Sequence, residues 1–206
     1  MNTNEFDNEY YVMNVDGANN HPLLAWGKTD YSAFLEAEPI DEKTLELPLK
    51  IIFGQPYPKQ YEMADFLMLD ADFSGSEKLK ALFETLTIYG VQFVPVEITT
   101  NKKETLSGHY AIHFHNRLRA IDENNYEGGK PDRFDTIMDL RRFSLNAFLL
   151  NNIPIENRLV FLLEENTGIV IVHQSIYEAI QAENLTGMRF WKVSDWHDNA
   201  MFRQSV

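Results

Sequence analysis

The stretch from Arg158 to Ser175, RLVFLLEENTGIVIVHQS, constrains the fold most. Two apolar runs flank Glu165-Asn166-Thr167-Gly168, residue types that suit a short hairpin turn. The runs are nearly continuous in apolar character instead of alternating, which predicts two strands buried on both faces. The adjacent acids Glu164 and Glu165 point to opposite faces of a strand and read as solvated turn charges, not as a catalytic pair.

Further strands are expected at Tyr10–Asp16, Leu49–Gly54, Ala64–Asp70, Val91–Thr99 and the end of Leu185–Val193. Pro95 cannot donate to a ladder and is expected at an edge or a bulge. One helix is expected to start at Ser74 as N-cap with Glu77 three residues on, its apolar face being Leu79, Leu82, Phe83 and Leu86. A second is expected from Ser175, with Glu178 at the third position and Ile176, Ala179 and Ile180 as the apolar side. The first residues are polar and expected to fray. Residues 17–48 read as irregular cover carrying Trp26, Tyr31 and Phe34. Asp122–Arg133 reads as a mobile loop, and Phe134–Asn146 fits either strand or helix. The pattern predicts an α+β fold: a mixed, mainly antiparallel sheet with two or more capped helices and an irregular N-terminal region. With no linker or repeat, residues 1–206 are expected to form a single domain.

The segment HYAIHFHN, His109 to Asn116, carries three of the six histidines. In a strand, His109, Ala111, His113 and His115 share one face, while Tyr110, Ile112 and Phe114 share the other. His113 and His115 thus form an H-x-H pair of the kind that can hold a metal. A zinc site needs at least three protein ligands, and the neighbouring sequence supplies no further motif. The competing reading is a half-buried strand whose histidines lie on the wetter side. Asp70, Asp72, Ser74 and Gly75 match the start of a calcium loop, but its closing position is Ala81 where a glutamate is required. Trp191 and Trp196 suit either a binding hot spot or the packing of a last strand.

With 31 acidic against 18 basic residues the net charge is −13, which disfavours nucleic acid and anionic membranes as partners. There is no cysteine, so thiol catalysis and disulfide scaffolds are excluded. The N-terminus has no leader-like pattern, and no run is long and apolar enough to span a bilayer. A cytoplasmic protein is the expectation.

Several segments in order resemble one family. They are Ser76-Glu77-Lys78 at a helix start, the strand VQFVPV at Val91–Val96, Tyr110 leading to Ala120-Ile121-Asp122, the apolar hairpin Leu159–Val172, and the turn at Leu185–Met188. The chain resembles the bacterial immunity-protein family numbered eleven among those of polymorphic-toxin systems. The resemblance covers 65–193 as a family-like core, with residues 1–60 matching loosely. The histidine pair departs from the family's usual strand.

The resemblance implies a non-enzymatic cytoplasmic protein that binds a cognate toxin, secreted or contact-delivered, and neutralises it by stoichiometric occlusion. No cofactor is implied. The acidic charge suits a basic toxin domain, and a homodimer is compatible with that role. No partner-contacting residue follows from the sequence. Two other classes stand beside this reading: a metal-dependent enzyme using His113 and His115, and a self-associating scaffold pairing through the apolar hairpin or the Pro95 strand.

Overall fold

In Leu49–Phe53 every second residue is buried: Leu49, Ile51 and Phe53 inside, Lys50 and Ile52 outside. That alternation makes a strand with one face in a core. In Val160–Leu163 all four residues are buried, which makes a strand covered on both faces. The computed structural model describes residues 3–18 and 20–198 and contains both kinds of strand. In chain order the strands are β1 (Tyr10–Val15), β2 (Leu24–Ala25), β3 (Leu49–Phe53), β4 (Phe66–Leu69), β5 (Asp72–Ser76), β6 (Val91–Thr99), β7 (Thr105–Phe114), β8 (Arg117–Leu118), β9 (Ile121–Gly128), β10 (Leu140–Leu145), β11 (Val160–Leu163), β12 (Asn166–His173) and β13 (Met188–Lys192). The helices are α1 (Phe6–Glu9), α2 (Ser32–Leu35), α3 (Glu77–Thr85), α4 (Ala147–Asn151) and α5 (Gln174–Ala182). Mixed, mostly antiparallel sheets with a few helices make this an α+β fold.

Contacts divide the chain into two compact units, one of residues 1–14, 116–178 and 189–206 and one of residues 15–115 and 179–188. The first holds a five-stranded sheet in the order β13-β1-β12-β11-β8 and the two-stranded sheet β10-β9. Its core gathers Tyr10, Val12, Phe143, Leu145, Phe161, Leu163, Ile169 and Ile171. Val160, Leu162, Val170 and Val172, on the other face of the hairpin, are buried too, as the continuous apolar runs predict. The hairpin turn is Glu164-Glu165, earlier than expected, with Leu163 opposite Asn166. Three hydrogen bonds draw it there: Ile121 N–H donates to Glu165 Oε1 (3.0 Å), Ile137 N–H to the Glu165 carbonyl (2.8 Å), and Asn166 Nδ2 to the Ile137 carbonyl (3.1 Å).

Three further expectations are corrected in this unit. Residues 121–128 are a strand, not part of a mobile loop; β9 pairs with β10, and Gly128 lies so near that a Cβ would stand 2.3 Å from the Asp139 carbonyl oxygen. The N-terminal residues from Asn4 are tied down, because Asn4 Nδ2 donates to the Leu145 carbonyl (2.7 Å) and Asp7 accepts from Leu145 N–H (2.8 Å) and the Ser144 hydroxyl (2.5 Å). Residues 1 and 2 lie outside the described residues. Helix α5 begins at Gln174, ahead of Ser175, and the His173 ring nitrogen accepts the Ser175 N–H at 3.2 Å.

The second unit is a closed barrel in the order β2-β3-β6-β7-β5-β4. Closure leaves few unpaired edges for a short-stranded sheet. Its core gathers Leu24, Trp26, Phe34, Ile40, Leu49, Ile51, Phe53, Val94, Val96, Ile98 and Ala111. Pro95 stands opposite Tyr110 in β7, one residue before the β3 ladder begins at Val96. Ser74 is a buried strand residue opposite Ala111, not a helix cap; Ser76 caps α3 by accepting Leu79 N–H at 3.2 Å. The helix buries Leu79 and Phe83.

Candidate partner-binding site

The histidine strand is the place to start, because its two faces decide what the motif does. Ala111 belongs to the barrel core, so alternation carries His113 to the interior side as well. His113 is 2% exposed. The expectation of a wet histidine face is therefore corrected: a closed barrel turns that face inward, where an open sheet would leave it in water. The His113 ring meets Phe34 edge-on at 5.5 Å, and its Nε2 lies 2.8 Å from the Glu38 carbonyl oxygen. A carbonyl only accepts, so Nε2 carries the proton and donates. His115 stacks on His113 with ring centroids 5.7 Å apart and meets Tyr89 edge-on. Burial pushes His115 below its ordinary value, against the opposing pull of the Glu38 carboxylate. Burial also lowers His109, whose Nε2 lies 3.2 Å from the Ala64 carbonyl. Among the described residues no cluster of three or more His, Cys, Asp or Glu forms around these rings.

What His113 holds is the segment from Tyr31 to Glu46. This strap is fixed from below by Phe34 and Ile40, both buried in the barrel core. Trp26 stacks on Tyr31 (5.5 Å, 12°) and tilts against Phe34 (4.8 Å). Gln92 pairs with one strap residue twice: Ile40 N–H donates to its Oε1 (2.7 Å), and its Nε2 donates to the Ile40 carbonyl (3.1 Å). A side-chain amide that satisfies both backbone polar groups of one residue acts as a piece of β-ladder. Asp41 then caps a short turn over Glu42–Thr44, accepting Lys43 N–H at 3.1 Å.

With Phe34 and Ile40 turned in, the outward residues are the acids and a few apolar side chains. Glu36, Glu38, Asp41, Glu42 and Glu46 are exposed, as are Tyr31 and Leu35 (59% for Leu35). Asp30 at the strap's start is exposed too, and Lys43 is the one base between Asp30 and Glu46. The strap thus presents carboxylates around an aromatic and an aliphatic side chain, on a backbone held at three points. A surface of this kind suits recognition of a cationic macromolecule.

The residues that carry the family resemblance sit elsewhere and brace the fold. In the barrel unit Asp65 accepts from the Ser76 hydroxyl (2.6 Å), Thr186 N–H (2.8 Å) and the Thr186 hydroxyl (3.0 Å). Burial alone would raise its carboxyl; these hydrogen bonds outweigh it and hold the group below its ordinary value. Gly187 is required beside them, since its φ is +86° and a Cβ would stand 2.2 Å from the Phe66 carbonyl oxygen. Ala120 and Ile121 serve the other unit, accepting Asn146 N–H (2.8 Å) and donating to Glu165. The sequence pattern of an immunity protein family, Imm11, matches residues 11–195. The chain belongs to the Imm11 immunity protein family. None of the curated proteins matches it.

Imm11 membership points to a toxin-immunity role and implies a toxin as partner in general. Within an Imm11 chain the bracing motifs and the strap meet at one residue: Gln92 belongs to the VQFVPV strand and grips Ile40. Trp196 is buried against Phe143 (5.2 Å), and Trp191 packs on the same core, which fits a packing role for the pair. Glu165 is 5% exposed, and burial raises its carboxyl, so it is no solvated turn charge. No helix among the described residues is long and apolar enough to cross a membrane. In the sequence the strap acids fall within the irregular cover of residues 17–48. The one available signal was the density of carboxylates between Phe34 and Pro48.

Proposed function

We propose that this Imm11 chain binds the toxin encoded beside it, in the cytoplasm of the producing cell, and neutralises it by stoichiometric occlusion. The toxin arrives secreted or by contact from a neighbouring cell. The observation that carries the reading is the braced acidic strap at Tyr31–Glu46, with Tyr31 and Leu35 exposed among its carboxylates. Opposite charge speeds encounter, and fixed apolar side chains supply the contacts that slow dissociation. A basic toxin face is the complement of this surface. The strap blocks the toxin by covering its active site or the path of its substrate, and no reaction occurs on the immunity protein. A homodimer is compatible with this role so long as the strap stays open.

Co-expression tests the reading. Cells producing the neighbouring toxin survive when this protein is present and soluble. Toxicity that persists beside abundant soluble protein contradicts it.

A further inference from the structure

A concave feature of the barrel unit lies apart in sequence from the strap. A cavity of about 200 Å³ is lined by Asp16, His21, Pro22, Leu23, Pro58 and Met68, among others. Its walls are chiefly apolar, and the one carboxylate among the lining residues, Asp16, is held in a fixed attitude. Gly17, at φ +64°, bends the chain so that Ala18 N–H donates to Asp16 Oδ1 at 2.9 Å. His21 Nδ1 lies 3.0 Å from the same Oδ1. Among the described residues both contacts fall on one oxygen, which leaves Oδ2 as the acceptor with remaining capacity. Asn20, beside His21, ties in Glu62 at 2.8 Å and brings a second carboxylate to the same turn. Leu23 and Tyr57 are large exposed apolar residues, and Leu23 lines the cavity itself.

Resting on the immunity reading, we propose that this cavity is a subsite for one arginine side chain of the toxin. The apolar walls take the aliphatic stem, and Asp16 Oδ2 accepts from the guanidinium. Arginine combines an apolar stem with a rigid set of donors and is enriched among the residues that dominate interfaces. The unit around it carries sixteen Asp and Glu against eight Lys and Arg, which favours a cation over a neutral aromatic donor.

The test uses the full chain and N-acetyl-arginine amide, followed by the methyl NMR signals of Met68 and Leu23. Saturable shifts are expected with an apparent Kd of about 1–10 mM, the range for a ligand of this size. Asp16→Asn, which keeps the shape and removes the charge, should weaken binding at least about tenfold. An equal response to N-acetyl-norleucine amide, an unaffected D16N variant, or no saturable shift overturns the proposal. A pull-down with the neighbouring toxin domain separates the two readings. If the unaltered protein captures the toxin and D16N captures it equally well, the subsite is wrong and immunity stands. If the unaltered protein captures nothing, the immunity reading itself fails.

Discussion

His113 shows how one side chain sets the geometry of a surface it does not belong to. It sits inside the barrel, donates its Nε2–H to the Glu38 carbonyl, and packs against Phe34. His113→Ala leaves that carbonyl without its donor and opens a gap beside Phe34. A loss of about 1–3 kcal/mol in stability is expected by denaturant unfolding, with faster amide exchange from Glu38 to Glu42 than elsewhere in the barrel. His109 adds a pH dependence of definite sign. Burial lowers its folded value below the ordinary 6.5, so the unfolded chain binds a proton more readily. Stability is therefore full above that value and falls as the pH drops below it. A Tm series from pH 7.5 down to 5 should show the fall, and His109→Asn should reduce its slope. Glu165 runs the other way: burial raises its carboxyl above 4.5, so its contribution is full in acid and lost as the pH rises through the raised value. Glu165→Gln should flatten that part of the profile.

Among the elements, the barrel and the hairpin were legible to different degrees. The apolar runs at Leu159–Val172 announced a doubly buried hairpin, because a continuous apolar pattern has few other uses. Its turn lies two residues earlier than the sequence predicts, since the bonds that fix it come from Ile121 and Ile137, far off in sequence. Helix α3 was legible as an amphipathic stripe, but its cap moved from Ser74 to Ser76 because β5 holds Ser74 in a ladder with β7. The histidine face departs from expectation for the same kind of reason: alternation says which residues share a face, and only closure of the sheet says which face is inside. The strap carries few periodic signals. Its order comes from Gln92, His113 and Trp26, contributed by other segments. Reversing charge on the strap by Glu42→Lys with Glu46→Lys should leave the Tm nearly unchanged. It should slow association with a basic toxin about tenfold at low salt, with the difference shrinking as salt rises. Stopped-flow or surface-based kinetics would read it.

Across the whole molecule, the acidic excess is shared: the barrel unit holds sixteen acids against eight bases, the other unit fifteen against ten. The motifs that carry the family resemblance brace both units, through Asp65 with Ser76 and Thr186 in one and through Ala120 and Ile121 in the other. They brace the fold, and the strap proposed to face the partner lies outside them. That division explains why family membership was readable from sequence while contact residues were not. The most direct measurement of the central claim is reconstitution of this chain with the purified toxin domain encoded beside it, followed by mass in solution and by toxin activity. A stable complex of fixed stoichiometry, formed with complete loss of toxin activity and weakened by the Glu42→Lys, Glu46→Lys double variant, is the predicted result. An active toxin in the presence of excess immunity protein, or a complex indifferent to the charge of the strap, would contradict the account.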